Sequence, residues 1–359
     1  MLRTRYPGFI LGLPLARAEI PVFTFHDVEP RRFAGDLEFL RHNGYRTLSL
    51  AEFVQAHGRK ATQDRSVLLA FDDARRSFWD VALPLLREYR SRAVLFVPSY
   101  WMSESSPEHS RGRELFMSWR ELRACLESGL VDVQSHAHRH ALVHTGGELV
   151  DFANPAALDH YDIYDWPMRN ETHGDELGRP ALGTPVYRAV PLLSASRRYL
   201  ESSELAEACR RLVERAGGAE FFTRPRWSRE LRAFHAAKSA DFPGRVMAGA
   251  AFRDLVASEF ERSREEFRAQ LGYAPKYLAF PWMLGSRSSL ELAKRAAIRA
   301  AFGVALDYRS ERSGRMPMQV YGRLKCDWIR FLPGDGRASV FGTIRRKFSQ
   351  FSKVEHLAH

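Results

Sequence analysis

The chain has 359 residues, of which 45% are hydrophobic and 12% aromatic, so it can bury a sizeable core and wholesale disorder is excluded. Its formal net charge is +11, but the basic residues are mostly scattered arginines without a lysine-rich run, so we expect no nucleic-acid partner. Three cysteines far apart in sequence, with no Cys-x-x-Cys pair, exclude a disulfide framework and a thiolate zinc site.

The amino-terminal segment bears on where the protein works. Its apolar stretch between Gly8 and Leu15 spans only about 8 residues and contains two glycines and a proline, which is a poor match to a signal peptide. No apolar run reaches the ~20 residues of a membrane span. We expect a cytoplasmic protein, with a peripheral position at the membrane as the alternative, and export is less favoured.

Short apolar runs alternate with helical patterns through the first part of the chain. The predicted strands cover residues 21–25, 66–71, 93–97 and 131–135, and the predicted helices cover residues 33–43, 79–89 and 119–127. Strands that alternate with helices predict βα units and a parallel sheet. Polar side chains follow the first, second and fourth of these strands. In βα barrels that edge of the sheet is where active sites lie.

The pattern changes in the middle of the chain and then returns. Helical patterns near 204–216 and 229–237 follow a Gly- and Pro-rich stretch, and the βα rhythm resumes with a helix at 252–271, a strand at 277–280, a helix at 288–299 and a strand at 301–305. Roughly 100 residues are too many for a simple loop. We therefore divide the chain into a first barrel part (1–143), an insertion of loops and helices (144–249), the rest of the barrel (250–335) and a tail (336–359).

Two motifs at predicted strand ends indicate hydrolytic chemistry. Asp72 and Asp73 follow one strand, and His136 and His140 follow another. Two carboxylates held close together need a counter-charge, which a metal ion supplies. One carboxylate and two histidines make a three-ligand metal site with an open position, and the second carboxylate is free to act as a base. The two histidines share a face if their segment turns helically.

These motifs resemble those of the polysaccharide deacetylases, the carbohydrate-esterase family that includes the NodB chitooligosaccharide deacetylases. The family motif T-F-D-D-G corresponds to residues 70–74, and H-[ST]-x-x-H corresponds to residues 136–140. The resemblance covers roughly residues 20–145 and 250–306. It implies an α/β fold, a distorted barrel of seven βα units of the NodB type. It also implies a divalent metal and removal of N-acetyl groups from amino sugars.

The resemblance assigns roles residue by residue. Asp73, His136 and His140 would bind the metal, and Asp72 would be the catalytic base. Two histidines and one aspartate suit Zn²⁺ best, with Co²⁺ or Mn²⁺ as alternatives. Ala74 replaces the family glycine.

The third and last motifs of the family depart from the expected pattern. The third, R-x-P-Y, is matched only at its end by Pro281 and Trp282, and Ala279 stands where the arginine that orients the base would be. We predict that Pro281 and Trp282 bind substrate, with the indole stacking on a sugar ring. The late histidine that supplies the general acid is not evident. His26 resembles the first-strand histidine of the poly-N-acetylglucosamine deacetylase branch, and we predict that it is the acid.

The carboxy-terminal tail suggests a further contact. Apolar and basic side chains within residues 341–353 fall on largely opposite faces of a helix, so this segment could lie on an anionic membrane or pack its phenylalanines on the barrel. The predicted function is metal-dependent removal of an N-acetyl group from an amino sugar in a polysaccharide or glycan precursor. Two alternatives are deacylation of another amide, such as a formamido sugar or a non-sugar C–N bond, and a non-catalytic glycan-binding relative.

Overall fold

The computed structural model describes residues 7–15, 19–59, 65–103, 115–303 and 317–338. Its strands are β1 (Val22–Phe25), β2 (Arg46–Thr47), β3 (Ser66–Phe71), β4 (Ala93–Val97), β5 (Val131–Ser135), β6 (Leu142–Phe152), β7 (Arg169–Glu171), β8 (Gly174–Glu176), β9 (Pro185–Pro191), β10 (Arg198–Leu200), β11 (Arg245–Met247), β12 (Tyr277–Ala279), β13 (Ala300–Phe302), β14 (Gln319–Tyr321) and β15 (Leu324–Lys325). Its α-helices are α1 (Pro30–His42), α2 (Leu50–Arg59), α3 (Leu83–Glu88), α4 (Trp119–Glu127), α5 (Pro155–His160), α6 (Ser203–Arg215), α7 (Trp227–Ser239), α8 (Gly249–Leu271) and α9 (Arg287–Arg295). Among these described helices, none is both long and apolar enough to cross a membrane.

The chain divides into two compact units. The first contains the described residues within Met1–Val97, Glu114–Gln134 and Gly322–His359. Its strands form a parallel ladder in which β1 lies between β15 and β3, and β3 also pairs with β2 and β4. Every residue of β1, β3 and β4 is buried, as parallel strands require when both faces of the sheet are covered.

The second unit contains the described residues within Pro98–Arg113 and Ser135–Tyr321. In it β12, β13 and β14 form a parallel ladder, and Ser135 pairs with Leu278 of β12. The chain segment between β5 and β12 contains three antiparallel strand pairs: β6 with β9, β7 with β8, and β10 with β11. Near them α6 and α7 bury a small apolar core that consists of Phe152, Leu205, Cys209, Val213, Phe221 and Leu231.

Helix ends are specified locally by polar caps. At the start of α4 the Ser118 hydroxyl accepts a hydrogen bond from the Glu121 amide, and the Glu121 carboxylate accepts one from the Ser118 amide. The two hydrogen bonds form a capping box. The Ser202 hydroxyl caps α6 by accepting a hydrogen bond from the Leu205 amide, and Ser286 caps α9 in a second capping box, each cap contributing about 1 kcal/mol. At its other end, α8 stops at Gly272, whose φ of 78° is the left-handed conformation that glycine adopts most readily.

The predicted parallel α/β architecture is confirmed. The predicted strands at 66–71, 93–97 and 131–135 and the helix at 119–127 have the observed bounds. The sequence analysis missed the helix α2, and it missed the strands β6 to β11 in a segment predicted to contain loops and helices. It also missed β2, β14 and β15, because two or three residues are too few to show a hydrophobic period. The tail segment 341–353 lies outside the described residues, and the division into barrel, insertion and tail stays a prediction.

Candidate metal centre

Asp72 and Asp73 leave β3 as two adjacent buried carboxylates, 2% and 3% exposed. The Asp72 amide donates to the Phe25 carbonyl at 2.9 Å, so the hydrogen bonding of β3 with β1 continues past Phe71. Asp73 and Ala74 then have φ angles of 71° and 49°, which turn the chain sharply. Ala74 thus occupies a left-handed conformation that the glycine of the family motif would adopt more easily.

Two arginines compensate the charge of this acidic pair. Nη1 of the buried Arg323 donates to both carboxylate oxygens of Asp72 at 2.7 Å. Nε of Arg75 lies 3.6 Å from Oδ2 of Asp73. The sequence analysis found neither arginine and assigned the counter-charge to a metal alone. Arg323 stands in a short apolar run just before β15, and this position was the available clue to its role. A guanidinium that is buried in such a run needs a carboxylate as its partner.

His26 follows β1 and lies beside the same carboxylate. Its Nε2 is 3.9 Å from Oδ2 of Asp72, and its side chain is 54% exposed while that of Asp72 is buried. The imidazole therefore stands between the buried acid and solvent. The role of His26 as the acid stays a prediction.

His136 follows β5 and has a defined tautomer. Its Nδ1 is 2.8 Å from the Ala279 carbonyl oxygen. Because a carbonyl can only accept, Nδ1 carries the proton and Nε2 keeps its lone pair for a metal. Ala279, the position at which the family arginine was expected, thus orients a predicted ligand through its backbone.

The two histidines converge without a helical turn. The condition for a shared helix face is not met, because residues 136–140 form an irregular loop in which Ala137 and His140 have φ angles of 64° and 49°. The imidazole centroids of His136 and His140 are nevertheless 4.8 Å apart. Two left-handed residues redirect the chain and bring the rings together.

Aromatic side chains enclose the ring of His140. Tyr164 stacks on it with centroids 4.1 Å apart, and Trp282 lies 4.2 Å away. Pro281 is buried, whereas Trp282 is half-buried and has a φ of 51°. Tyr164 belongs to the segment 144–249, and the sequence analysis did not single it out.

A buried glutamate supports the histidine loop. Glu259 of α8 accepts from the Arg139 amide at 2.8 Å and from its Nε at 2.5 Å. Burial by itself would raise the pKa of Glu259, but the charge and hydrogen bonds of Arg139, with the nearby His138, outweigh it and hold that pKa below its usual range. No motif in the sequence marked this residue.

The predicted ligands form one group. Ligand atoms of Asp73, His136 and His140 all lie within 4.8 Å of one another, and the three side chains are buried. One carboxylate oxygen and two imidazole nitrogens are the donors that a catalytic zinc site uses. The residues therefore fit a divalent metal, as the two sequence motifs predicted.

The described chain thus combines a parallel α/β fold with a buried aspartate–histidine–histidine group that could hold a metal ion. More particularly, residues 59–162 match the family model of polysaccharide deacetylases, which confirms the resemblance seen in the sequence. The matched segment contains both the aspartate pair and the histidine loop.

Curated relatives are similar over the same region. The chain is 29% identical over 119 residues to a poly-β-1,6-N-acetyl-D-glucosamine N-deacetylase of Escherichia coli, covering 31% of this chain and 18% of the relative. It is 27% identical over 118 residues to the protein of that name from Staphylococcus epidermidis, covering 33% of this chain and 39% of the relative. The chain thus matches less than half the length of these relatives.

Solved structures share the fold over most of the chain. A de-N-acetylase from Aggregatibacter actinomycetemcomitans superposes with a TM-score of 0.53 at 16% identity, covering 91% of this chain and 98% of the other. The BpsB deacetylase domain of Bordetella bronchiseptica gives a TM-score of 0.51 at 17% identity, covering 85% and 96%. The fold class predicted from the resemblance, an α/β fold of the NodB barrel type, is confirmed.

Proposed function

We propose that this chain is a metal-dependent N-deacetylase that hydrolyses the acetamido group of amino-sugar residues in a poly-N-acetylglucosamine-type glycan. The observation that carries the proposal is the buried group of Asp73, His136 and His140. It is supported by the family match over both motifs and by the names of the curated relatives. Zn²⁺ is the metal that this donor set favours, and Co²⁺ and Mn²⁺ are alternatives.

The site residues divide the work of hydrolysis. A Zn²⁺ held by Asp73, His136 and His140 would polarise the acetyl carbonyl and make water more acidic. Asp72 takes the proton of the attacking water, and Arg323 fixes the orientation of that carboxylate and compensates its charge.

His26 completes the reaction on the exposed side of Asp72. As the C–N bond breaks, the imidazolium donates its proton to the departing amine, and the acetyl carbon leaves as acetate. Trp282, half-buried beside His140, offers an aromatic face on which the sugar ring stacks, with Pro281 holding the backbone of that turn.

The test of the proposal is acetate release from defined glycans. The purified chain, loaded with Zn²⁺, is incubated with β-1,6-linked N-acetylglucosamine oligomers, and acetate and new amino groups are measured together. Asp72→Asn should lower kcat/KM by about 10²- to 10⁴-fold, because a general base is lost. Metal content by elemental analysis should stay at the wild-type level, since Asp72 is not a ligand. Wild-type turnover in that variant would show that another residue is the base.

The same assay separates the alternatives. Release of formate, but not acetate, from a matched N-formyl oligomer would indicate deacylation of a different amide. Saturable glycan binding without release of either acid, in protein that contains metal, would indicate a non-catalytic glycan-binding relative. Oligomers with β-1,4 links serve as the control for linkage.

A further inference from the structure

The loop that presents the two histidines has an unfavourable backbone. Within residues 136–140, Ala137 and His140 both have positive φ angles, which L-residues with a side chain rarely adopt. Such conformations persist where surrounding contacts over-determine them. The contacts that hold this loop therefore decide where the imidazole of His140 lies.

Glu259 makes the most direct of these contacts. Its two carboxylate oxygens bind the amide and the Nε of Arg139, the residue immediately before His140. Glu259 is 1% exposed and lies in the middle of α8, a helix of 23 residues. One carboxylate thus fixes both the backbone and the side chain of the residue between the two ligands.

The contact extends into the segment 144–249. Nη1 of Arg139 lies 3.2 Å from Oδ2 of Asp175 in β8, and Nη1 of Arg198 in β10 lies 2.7 Å from Oδ1 of the same aspartate. Charges alternate in sign along the row Glu259, Arg139, Asp175 and Arg198. The row ties the histidine loop to α8 on one side and to two strands of that segment on the other.

A purely structural role is the competing explanation. Buried ion pairs are weak contributors to stability, and an apolar pair of similar volume often replaces them without loss. An apolar pair, however, cannot accept the hydrogen bond that the Arg139 amide donates. The two explanations therefore differ in what happens to metal binding when both charges are removed together.

We propose that Glu259 is a positioning residue for the metal centre: through Arg139 it holds the left-handed loop that aims His140 at the metal. The proposal rests on the proposed function only in that Asp73, His136 and His140 bind a divalent metal. It needs no particular substrate.

Metal affinity is the direct test. Zn²⁺ binding by Glu259→Gln, measured in competition with a chromogenic chelator, should be roughly 10- to 100-fold weaker, as for other groups that orient ligands. The visible absorption spectrum of the Co²⁺-loaded variant should change, because the ligand geometry changes. Glu261→Gln is the matched control, since Glu261 is exposed on the same helix and pairs with Arg264. Wild-type affinity and spectrum in folded Glu259→Gln would overturn the proposal.

A double variant covers the case in which Glu259→Gln folds poorly. The double variant Arg139→Met with Glu259→Met removes both charges of this ion pair, so neither side chain is left as a buried charge without its partner. The positioning role predicts a folded protein whose Zn²⁺ affinity remains reduced, whereas recovery of wild-type affinity would show a structural role only. Wild-type protein that binds Zn²⁺ but releases no acetate would contradict the proposed function and leave this inference standing.

Discussion

Asp72 shows how a single contact makes a buried acid tolerable. Its carboxylate is 2% exposed, and one guanidinium nitrogen of Arg323 reaches both of its oxygens. An ionised carboxylate in such a place is costly unless it is paired and hydrogen-bonded. Arg323 supplies the pairing expected from the family arginine, but from a position next to β15.

We expect Arg323→Gln to destabilise the protein by about 3–5 kcal/mol, because it leaves a buried carboxylate without its counter-charge. The free energy of unfolding from urea titration measures the loss. Arg188→Gln is the control, since the Arg188–Glu148 pair has side chains 65% and 63% exposed and should contribute less than about 1 kcal/mol. Equal losses in the two variants would mean that burial of the Asp72 pair has no energetic consequence.

At the scale of elements, α6 and α7 pack around a small apolar core, and α7 carries a buried titratable group. His235 of α7 is buried, and its Nε2 is 2.9 Å from the hydroxyl of Tyr187 in β9. Burial lowers the pKa of His235, and the charge of Arg232 lowers it further. The folded state therefore takes up this proton less readily than the unfolded state, whose pKa is about 6.5.

This difference predicts a loss of stability in mild acid. Because the folded pKa is depressed, stability present above about pH 6.5 is lost progressively as the pH falls from that value towards the folded pKa. The urea midpoint should fall more between about pH 7.5 and about pH 5.5 in the wild type than in His235→Gln. Hydrogen exchange in peptides from α6 and α7 locates the change. An identical pH dependence in both proteins would exclude His235 as its source.

At the scale of the whole molecule, metal and fold should be linked. A metal that binds only the folded chain stabilises it by about 2.7 kcal/mol at a hundred times its dissociation constant. We therefore expect Zn²⁺ to raise the Tm of the chelator-treated wild type and to restore its acetate release. His136→Gln should show neither effect, because it lacks a predicted ligand. Mg²⁺ is the control ion, since it prefers oxygen donors. A Tm insensitive to Zn²⁺ would contradict a metal centre.

The net charge of +11 bears on where the whole chain works. The cytoplasmic location and the membrane contact through residues 341–353 remain proposals. The intact chain should pellet with anionic liposomes, and a version ending at Ser339 should pellet less, because the basic amphipathic segment is gone. Neutral liposomes control for apolar adhesion. Equal pelleting of both chains would remove the proposal of a membrane contact through the tail.

Local patterns determined much of this protein. Short runs rich in apolar residues, one ending at Phe71 and one at Ser135, predicted two strands and placed the aspartates and histidines at their ends. The type and spacing of those side chains were enough to predict the group of three possible metal ligands, because only a few kinds of side chain bind zinc.

Only the tertiary structure decided the contacts that support that group. Arg323 reaches Asp72 across 251 residues, and Glu259 reaches Arg139 across 120 residues. No local pattern encodes such pairs, because their free energy arises only when distant segments pack and exclude water. The left-handed turn of the histidine loop has the same origin, since its strain is balanced by contacts made elsewhere in the chain.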